Sequence, residues 1–133
     1  MTIPELSPGI KGKQEMTVKH ENTANYLLSG MLEVYATPSL IAFMEYTAFT
    51  SLNPFLPEGM GTVGTLVNIR HLAASPVGMR ITCESELIEV DGRRLVFRVT
   101  ASDDCGVIGE GTHERVIIDN ARFTERVQNK LNK

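Results

Sequence analysis

The sequence predicts an α+β fold in which a curled antiparallel sheet of five strands wraps one long central helix. Three observations carry that expectation. The patterns run in the order half-buried strand, apolar helix, then four consecutive strands. The helical segment from Thr37 to about Leu52 sets apolar residues on every side, at Leu40, Ile41, Ala42, Phe43, Met44, Ala48, Phe49 and Leu52, and a helix apolar all round is a buried one. Only the strands are available to bury it.

Gln14–His20 alternates, with Met16 and Val18 on one side and Glu15, Thr17 and Lys19 on the other, which predicts a half-buried strand. Residues 21–36 are mixed; a short helix is expected around Ala24–Ser29, then a loop. Thr37-Pro38 reads as an N-cap followed by proline at the first helical position, where its missing N–H costs nothing. Asn53-Pro54 stops the helix. Beyond Pro57 the period becomes two. Thr62–Leu72 sets Val63, Thr65, Val67, Ile69 and His71 on one face.

Ser75-Pro76-Val77-Gly78 then turns the chain into a hairpin of Arg80–Glu89 and Arg93–Ala101. A two-residue Asp91-Gly92 turn would mix charged and apolar residues on one face. A three-residue Val90-Asp91-Gly92 loop with Gly92 left-handed avoids this. It gathers Ile81, Cys83, Ser85, Leu87, Leu95, Phe97, Val99 and Ala101 on one face and sets Glu84 against Arg98. A turn at Asp103–Gly106 leads to a last strand, Val107–Ile118, and a polar amphipathic helix follows.

A length of 133 residues fits one domain over 1–133 with a single core. At 42% hydrophobic and 22% charged the composition is that of a globular protein. A net charge of −3 argues against nucleic acid, which needs a basic face. No apolar run reaches the ~20 residues of a membrane-spanning helix, so no membrane partner is expected. The opening MTIPELSPGIKGK lacks the basic start and apolar stretch of a signal peptide, and the cytoplasm is the expected location. Cys83, placed roughly opposite Val99, and Cys105 fall too far apart to pair, which predicts two free thiols.

Among the motifs, Gly59-Met60-Gly61-Thr62-Val63-Gly64 matches the dinucleotide fingerprint. That motif works between a strand and a helix, whereas this one precedes a strand, so it reads as a turn that starts a strand. His20, His71 and His113 fall on three separate strands without metal-ligand spacing; neither metal nor cofactor is expected. Glu45 is the only ionisable charge between Thr37 and Pro57. An ionised carboxylate in a buried helix loses several kcal/mol of solvation unless it is paired. It either reaches the helix surface or an arginine, or it forms the floor of a cleft with its pKa raised by burial. His71, near a strand end beside the Ala73–Val77 turn, is an ordinary edge histidine alone and an acid/base partner beside a buried Glu. Thr37 has a structural job as N-cap, yet its hydroxyl sits where a helix N-terminus can hold a carbonyl oxygen or oxyanion.

VYATPSLIAFMEY, GTLVNIRHLAASPVG, EVDGRRLVFRV and GEGTHERVII together resemble the hot-dog-fold thioesterases, specifically the fluoroacetyl-CoA thioesterase-like group. The resemblance covers about Gln14 to Gln128. It implies the hot-dog fold, a homodimer whose sheets join, and acyl-CoA sites at the subunit interface. The family's catalytic threonine, glutamate and histidine carry over onto Thr37, Glu45 and His71. Its pocket glycine falls on Gly64, and the arginine of its T-H-E-R segment on Arg115. The implied reaction is hydrolysis of a short acyl-CoA thioester to the acid and free CoA.

Thr37 and Glu45 stand eight residues apart, about 12 Å along a regular helix. Either the helix start is irregular, the substrate spans the two, or two subunits combine. Aromatic lid residues of the group correspond to Leu28 and Met31 in this sequence. Neither is aromatic, and methionine shapes a pocket less rigidly than phenylalanine. The expectation is a general short-chain acyl-CoA thioesterase. A protein that binds acyl-CoA without turnover is the alternative, and an enoyl-CoA hydratase, whose motif has no counterpart in the sequence, ranks third.

Overall fold

A computed structural model describes residues 2–132. Strand β1 (Lys11–Thr17) is followed by a long loop, helix α1 (Thr37–Ser51), and strands β2 (Met60–His71), β3 (Arg80–Asp91), β4 (Arg94–Asp103) and β5 (Gly106–Asp119). Helix α2 (Asn120–Gln128) comes next, its N-terminus capped by the Asp119 carboxylate, which accepts from the Arg122 N–H. All strand pairs are antiparallel, in the order β1-β3-β4-β5-β2. The curled α+β sheet with α1 in its concavity is the architecture the sequence predicts.

Several elements differ in detail. β1 begins and ends three residues early, because its pairing partner β3 starts at Arg80, opposite Thr17. Its alternation keeps the expected phase, with Met16 half-buried and Val18 buried. The expected helix at Ala24–Ser29 is absent. Those residues form a tight turn in which Ala24 and Asn25 donate to the carbonyls of Val34 and Leu32, and Leu28 takes φ +58°, outside the helical region.

The faces of the β3–β4 hairpin are as expected, since Ile81, Cys83, Leu87, Leu95, Phe97, Val99 and Ala101 are fully buried and Ser85 nearly so. Its register is two residues from the expected one. Asp91 pairs with Arg94 around a two-residue Gly92-Arg93 turn with Gly92 at φ +60°, and a bulge at Ile88 then shifts the ladder. Cys83 therefore faces Ala101 and Glu84 faces Thr100, while Arg98 meets Glu86. A slip of two preserves the face, which is why the core survives the error.

α1 is not buried all round. Leu40, Met44, Thr47, Ala48 and Leu52 pack on the sheet, whereas Ala42, Tyr46 and Phe49 on the far side are exposed. A single sheet covers a single side. Leu40 shows how tightly that side fits: a Cβ added at Gly109 of β5 would come within 2.7 Å of its Cδ2. Replacing Leu40 by Ala should cost about 2–5 kcal/mol of stability, measured by urea denaturation; a loss under about 1 kcal/mol would show that the site collapses around the smaller side chain.

Candidate active site

The start of α1 is held from two directions. Ala36 N–H donates to the Asn22 carbonyl at 2.9 Å, and Tyr35 N–H to the Ser75 carbonyl at 2.8 Å. Ala36 is the N-cap residue and Thr37 is already in the helix, with Pro38 in its first turn. Thr37 thus does not cap the helix as expected. Its hydroxyl is free for another partner, and Oγ1 lies 2.8 Å from His71 Nδ1 at the end of β2. The Tyr35 ring meets the His71 ring edge-on, 6.4 Å between centroids. His71 Nε2 is buried without a hydrogen-bond partner. Burial holds the His71 pKa below the usual imidazole value, offset in part by the Ala73 backbone. A groove of about 300 Å³ opens over this pair, lined among others by Ala24, Val34, Tyr35, Thr37, His71 and Ala73.

Two turns along α1 a second group forms. Glu45 is 38% exposed; its Oε2 lies 3.3 Å from Arg115 Nη1 and 3.8 Å from His113 Nε2. Both alternatives to a buried cleft floor hold together: the carboxylate reaches the surface of α1 and pairs with an arginine. Arg115 is buried, and its Nε donates to Thr62 Oγ1 at 2.7 Å, its Nη2 to the Thr62 carbonyl at 3.0 Å. Its guanidinium also lies over the Phe49 ring, 5.5 Å from the centroid. The cost of burying this cation is offset by charge-assisted bonds.

The strand that carries this group is irregular. A bulge at Thr65 breaks the pairing of β2 with β5, so Gly64 faces Arg115 and Val67 faces His113. The expected single face of β2 is therefore wrong in its first half: Thr62 and Gly64 point into the concavity there, followed by Val67, Ile69 and His71. The bulge supplies the extra residue that changes the phase. Gly64 leaves room for the carboxylate in this position: a Cβ there would lie 2.7 Å from Glu45 Oε2 and 3.3 Å from Arg115 Nη1, so the ends of these side chains would have to move.

Thr37 and His71 thus meet, as do Glu45, Gly64 and Arg115, but the two groups share no hydrogen bond or ion pair among the described residues. Leu28 and Met31 join neither. They stand 90% and 93% exposed in the loop before α1. His20 lies in a short 3₁₀ turn rather than on a strand. Sequence reasoning missed His113 as a neighbour of Glu45 and Thr62 as the partner of Arg115. The two-residue spacing of His113 and Arg115 would have found the first, because it puts both on one face of a strand.

Comparison with known proteins identifies the group. The family model of the fluoroacetyl-CoA-specific thioesterases matches residues 18–121. The chain belongs to that family. It is 38% identical over 114 residues to the fluoroacetyl-CoA thioesterase of Streptantibioticus cattleyicolor, covering 86% of this chain and 82% of that protein. A solved structure of a fluoroacetyl-CoA thioesterase superposes with a TM-score of 0.90 at 33% identity, over 95% of this chain and 98% of the other. A thioesterase-superfamily protein of Thermus thermophilus superposes at 0.87 with 31% identity, over 98% and 96%. The curled sheet around α1 is the hot-dog fold of these thioesterases.

Both histidines of the site have depressed pKa values, for His113 through burial first and the neighbouring Arg115 charge as well. The unfolded chain therefore takes up protons below the ordinary histidine value of 6.5 more readily than the folded one, and stability falls as pH drops through that range. Urea midpoints at pH 7.5 and 5.5 test this. The lower pH should give the lower midpoint, with a smaller gap in His113→Gln; an unchanged or rising midpoint would contradict it.

Proposed function

We propose that the protein hydrolyses short-chain acyl-CoA thioesters to the acid and free CoA, with Thr37, Glu45 and His71 at the reacting atoms. Family membership makes it a thioesterase; the Thr37–His71 contact at 2.8 Å carries the assignment of roles. With Thr37 donating to Nδ1, the ring proton sits on Nε2 of a neutral imidazole, whose N–H can donate a hydrogen bond to the departing sulfur. Glu45, one oxygen held by Arg115, attacks the carbonyl carbon or takes a proton from the attacking water. The C–S bond breaks. Water either adds to the carbonyl directly or hydrolyses the acyl–Glu45 anhydride that direct attack forms. The acyl group leaves as the acid, and the proton released from water goes to the CoA thiolate. Gly64 keeps the wall beside Glu45 open, and Arg115 supplies positive charge near the carbonyl.

Two observations support a site shared between two copies of the chain. The Thr37–His71 pair and Glu45 are about 12 Å apart along α1, too far to act on one carbonyl within a chain. The exposed side of α1, with Ala42, Tyr46 and Phe49, borders Glu45, and β2 lies at the edge of the sheet with one ladder unpaired. Open edges invite pairing. A dimer that joins the sheets at this edge covers α1 and brings Thr37 and His71 of one subunit toward Glu45 of the other. Leu28 and Met31, exposed in one chain, would then cover the acyl group as flexible aliphatic walls. The absence of aromatic rings there favours a general short-chain specificity. No helix among the described residues is long and apolar enough to cross a membrane. The proposed setting is the cytoplasm, with a soluble thioester as substrate, no cofactor and no nucleic-acid partner.

Free-thiol release from a panel of short acyl-CoAs is the direct test. Glu45→Gln and His71→Ala should each lose 99% or more of turnover, roughly the hundredfold expected for a positioned acid or base, while keeping the fold. Near-normal turnover in a folded Glu45→Gln protein would remove Glu45 from the reaction, and no turnover of any thioester by the intact protein would favour binding without catalysis. The kcat/KM for fluoroacetyl-CoA should lie near those for acetyl-, propionyl- and butyryl-CoA; a preference of several orders of magnitude would show that Leu28 and Met31 do not set specificity. Sedimentation equilibrium at micromolar concentration should give a dimer, and a monomer would contradict the shared site.

A further inference from the structure

We infer that His113 is a positioning residue: as a neutral acceptor it fixes Arg115, and through Arg115 the Glu45 carboxylate, in the geometry the reaction uses. The inference rests on the catalytic role proposed for Glu45. His113 Nδ1 lies 2.8 Å from the Leu66 carbonyl oxygen, which can only accept, so Nδ1 carries the ring proton. Nε2 is left with a lone pair. It lies 3.0 Å from Arg115 Nη1, which can only donate. The two contacts together admit one protonation state, the neutral Nδ1–H tautomer. An imidazolium would aim a second N–H at the guanidinium.

Nη1 has two hydrogens, and each has a partner, His113 Nε2 and Glu45 Oε2. Thr62 takes the bonds from Nε and Nη2. The guanidinium is thereby held on both sides of the atom that meets Glu45. Without an acceptor at Nε2, Nη1 would keep one buried N–H unpaired, and the arginine would turn to satisfy it at the expense of the carboxylate. The groups facing His113 are few: Arg115 and Glu114 on β5, Glu45 across from α1, the Leu66 carbonyl from β2, and the Phe97 ring of β4 stacked at 6.4 Å and 30°. The carbonyl that sets the tautomer follows directly on the Thr65 bulge. The same irregularity that turns Gly64 toward Glu45 thus orients the histidine.

A phenylalanine at 113 keeps the flat ring and its stacking on Phe97 but accepts no hydrogen bond, whereas a glutamine restores an acceptor close to Nε2. With acetyl-CoA as substrate, His113→Phe should lower kcat roughly tenfold to a hundredfold, as misplacement of a reacting group does, with KM little changed. His113→Gln should recover most of that loss. In an Arg115→Met background, His113→Phe should add no further loss. Unchanged kcat in His113→Phe, equal loss in both His113 variants, or a further loss on top of Arg115→Met would overturn the inference while leaving Glu45→Gln free to report on the role of Glu45 itself. Nitrogen-15 NMR of the imidazole tests the geometry apart from activity: the intact protein at pH 7 should show the Nδ1–H tautomer, and an imidazolium or Nε2–H form would overturn the inference whatever the protein hydrolyses.

Discussion

The fold depends on one constraint: a curled sheet of five strands covers only one side of the helix it holds. Leu40, Met44, Ala48 and Leu52 satisfy that side completely, all at 0–1% exposure. The remaining apolar residues of α1 were not selected for water, since Ala42, Tyr46 and Phe49 stand open beside Glu45. The uncovered side thus leaves apolar side chains in water and is also the one that carries the carboxylate. In the proposed dimer, covering it and completing the site are a single event, because the covering surface is the one that brings the second half of the chemistry.

Within the chain, the site is made by an interruption of regular structure. A strictly alternating β2 would turn Val63 and Thr65 toward the helix and hide Gly64. The bulge at Thr65 reverses that phase and lets Gly64, which has no side chain, meet Glu45. Arg115 and His113, two residues apart where β5 pairs with β4 without interruption, then share its face with Gly64 and Val67. Bulges are expected beside active sites for this reason. The Thr37 hydroxyl reaches His71 by a comparable release, since Ala36 takes the capping position and the Asn22 and Ser75 carbonyls hold the backbone ahead of the helix.

What can be read from the sequence follows from these same features. Period-two alternation identifies the core face of the β3–β4 hairpin even with the register displaced by two, because parity decides the face and only the turn and bulge decide the pairing; Val96, buried on the other face, is the exception. Nothing in Ile88 or Thr65 signals a bulge; both are β-branched residues at home in a regular strand. Thr37, Glu45 and His71 are legible as chemistry from the lone charge in an apolar helix and from the segments shared with the thioesterases. Their division into two groups is legible only as a spacing along α1. His113 reads as one of three scattered histidines, since its role depends on a carbonyl from β2 that sequence order does not bring near.

The shared site is the claim on which the chemistry turns, and mixed dimers test it most directly. Glu45→Gln and His71→Ala proteins, each inactive alone, would be unfolded together and refolded at equal concentration. If one subunit supplies Glu45 and its partner supplies His71, each mixed dimer holds one intact site. Statistical pairing makes half the dimers mixed, so about a quarter of the original activity should return, given strictly dimeric assembly. If all three residues acted from one chain, every site would still lack one of them, and the mixture would stay as inactive as its components.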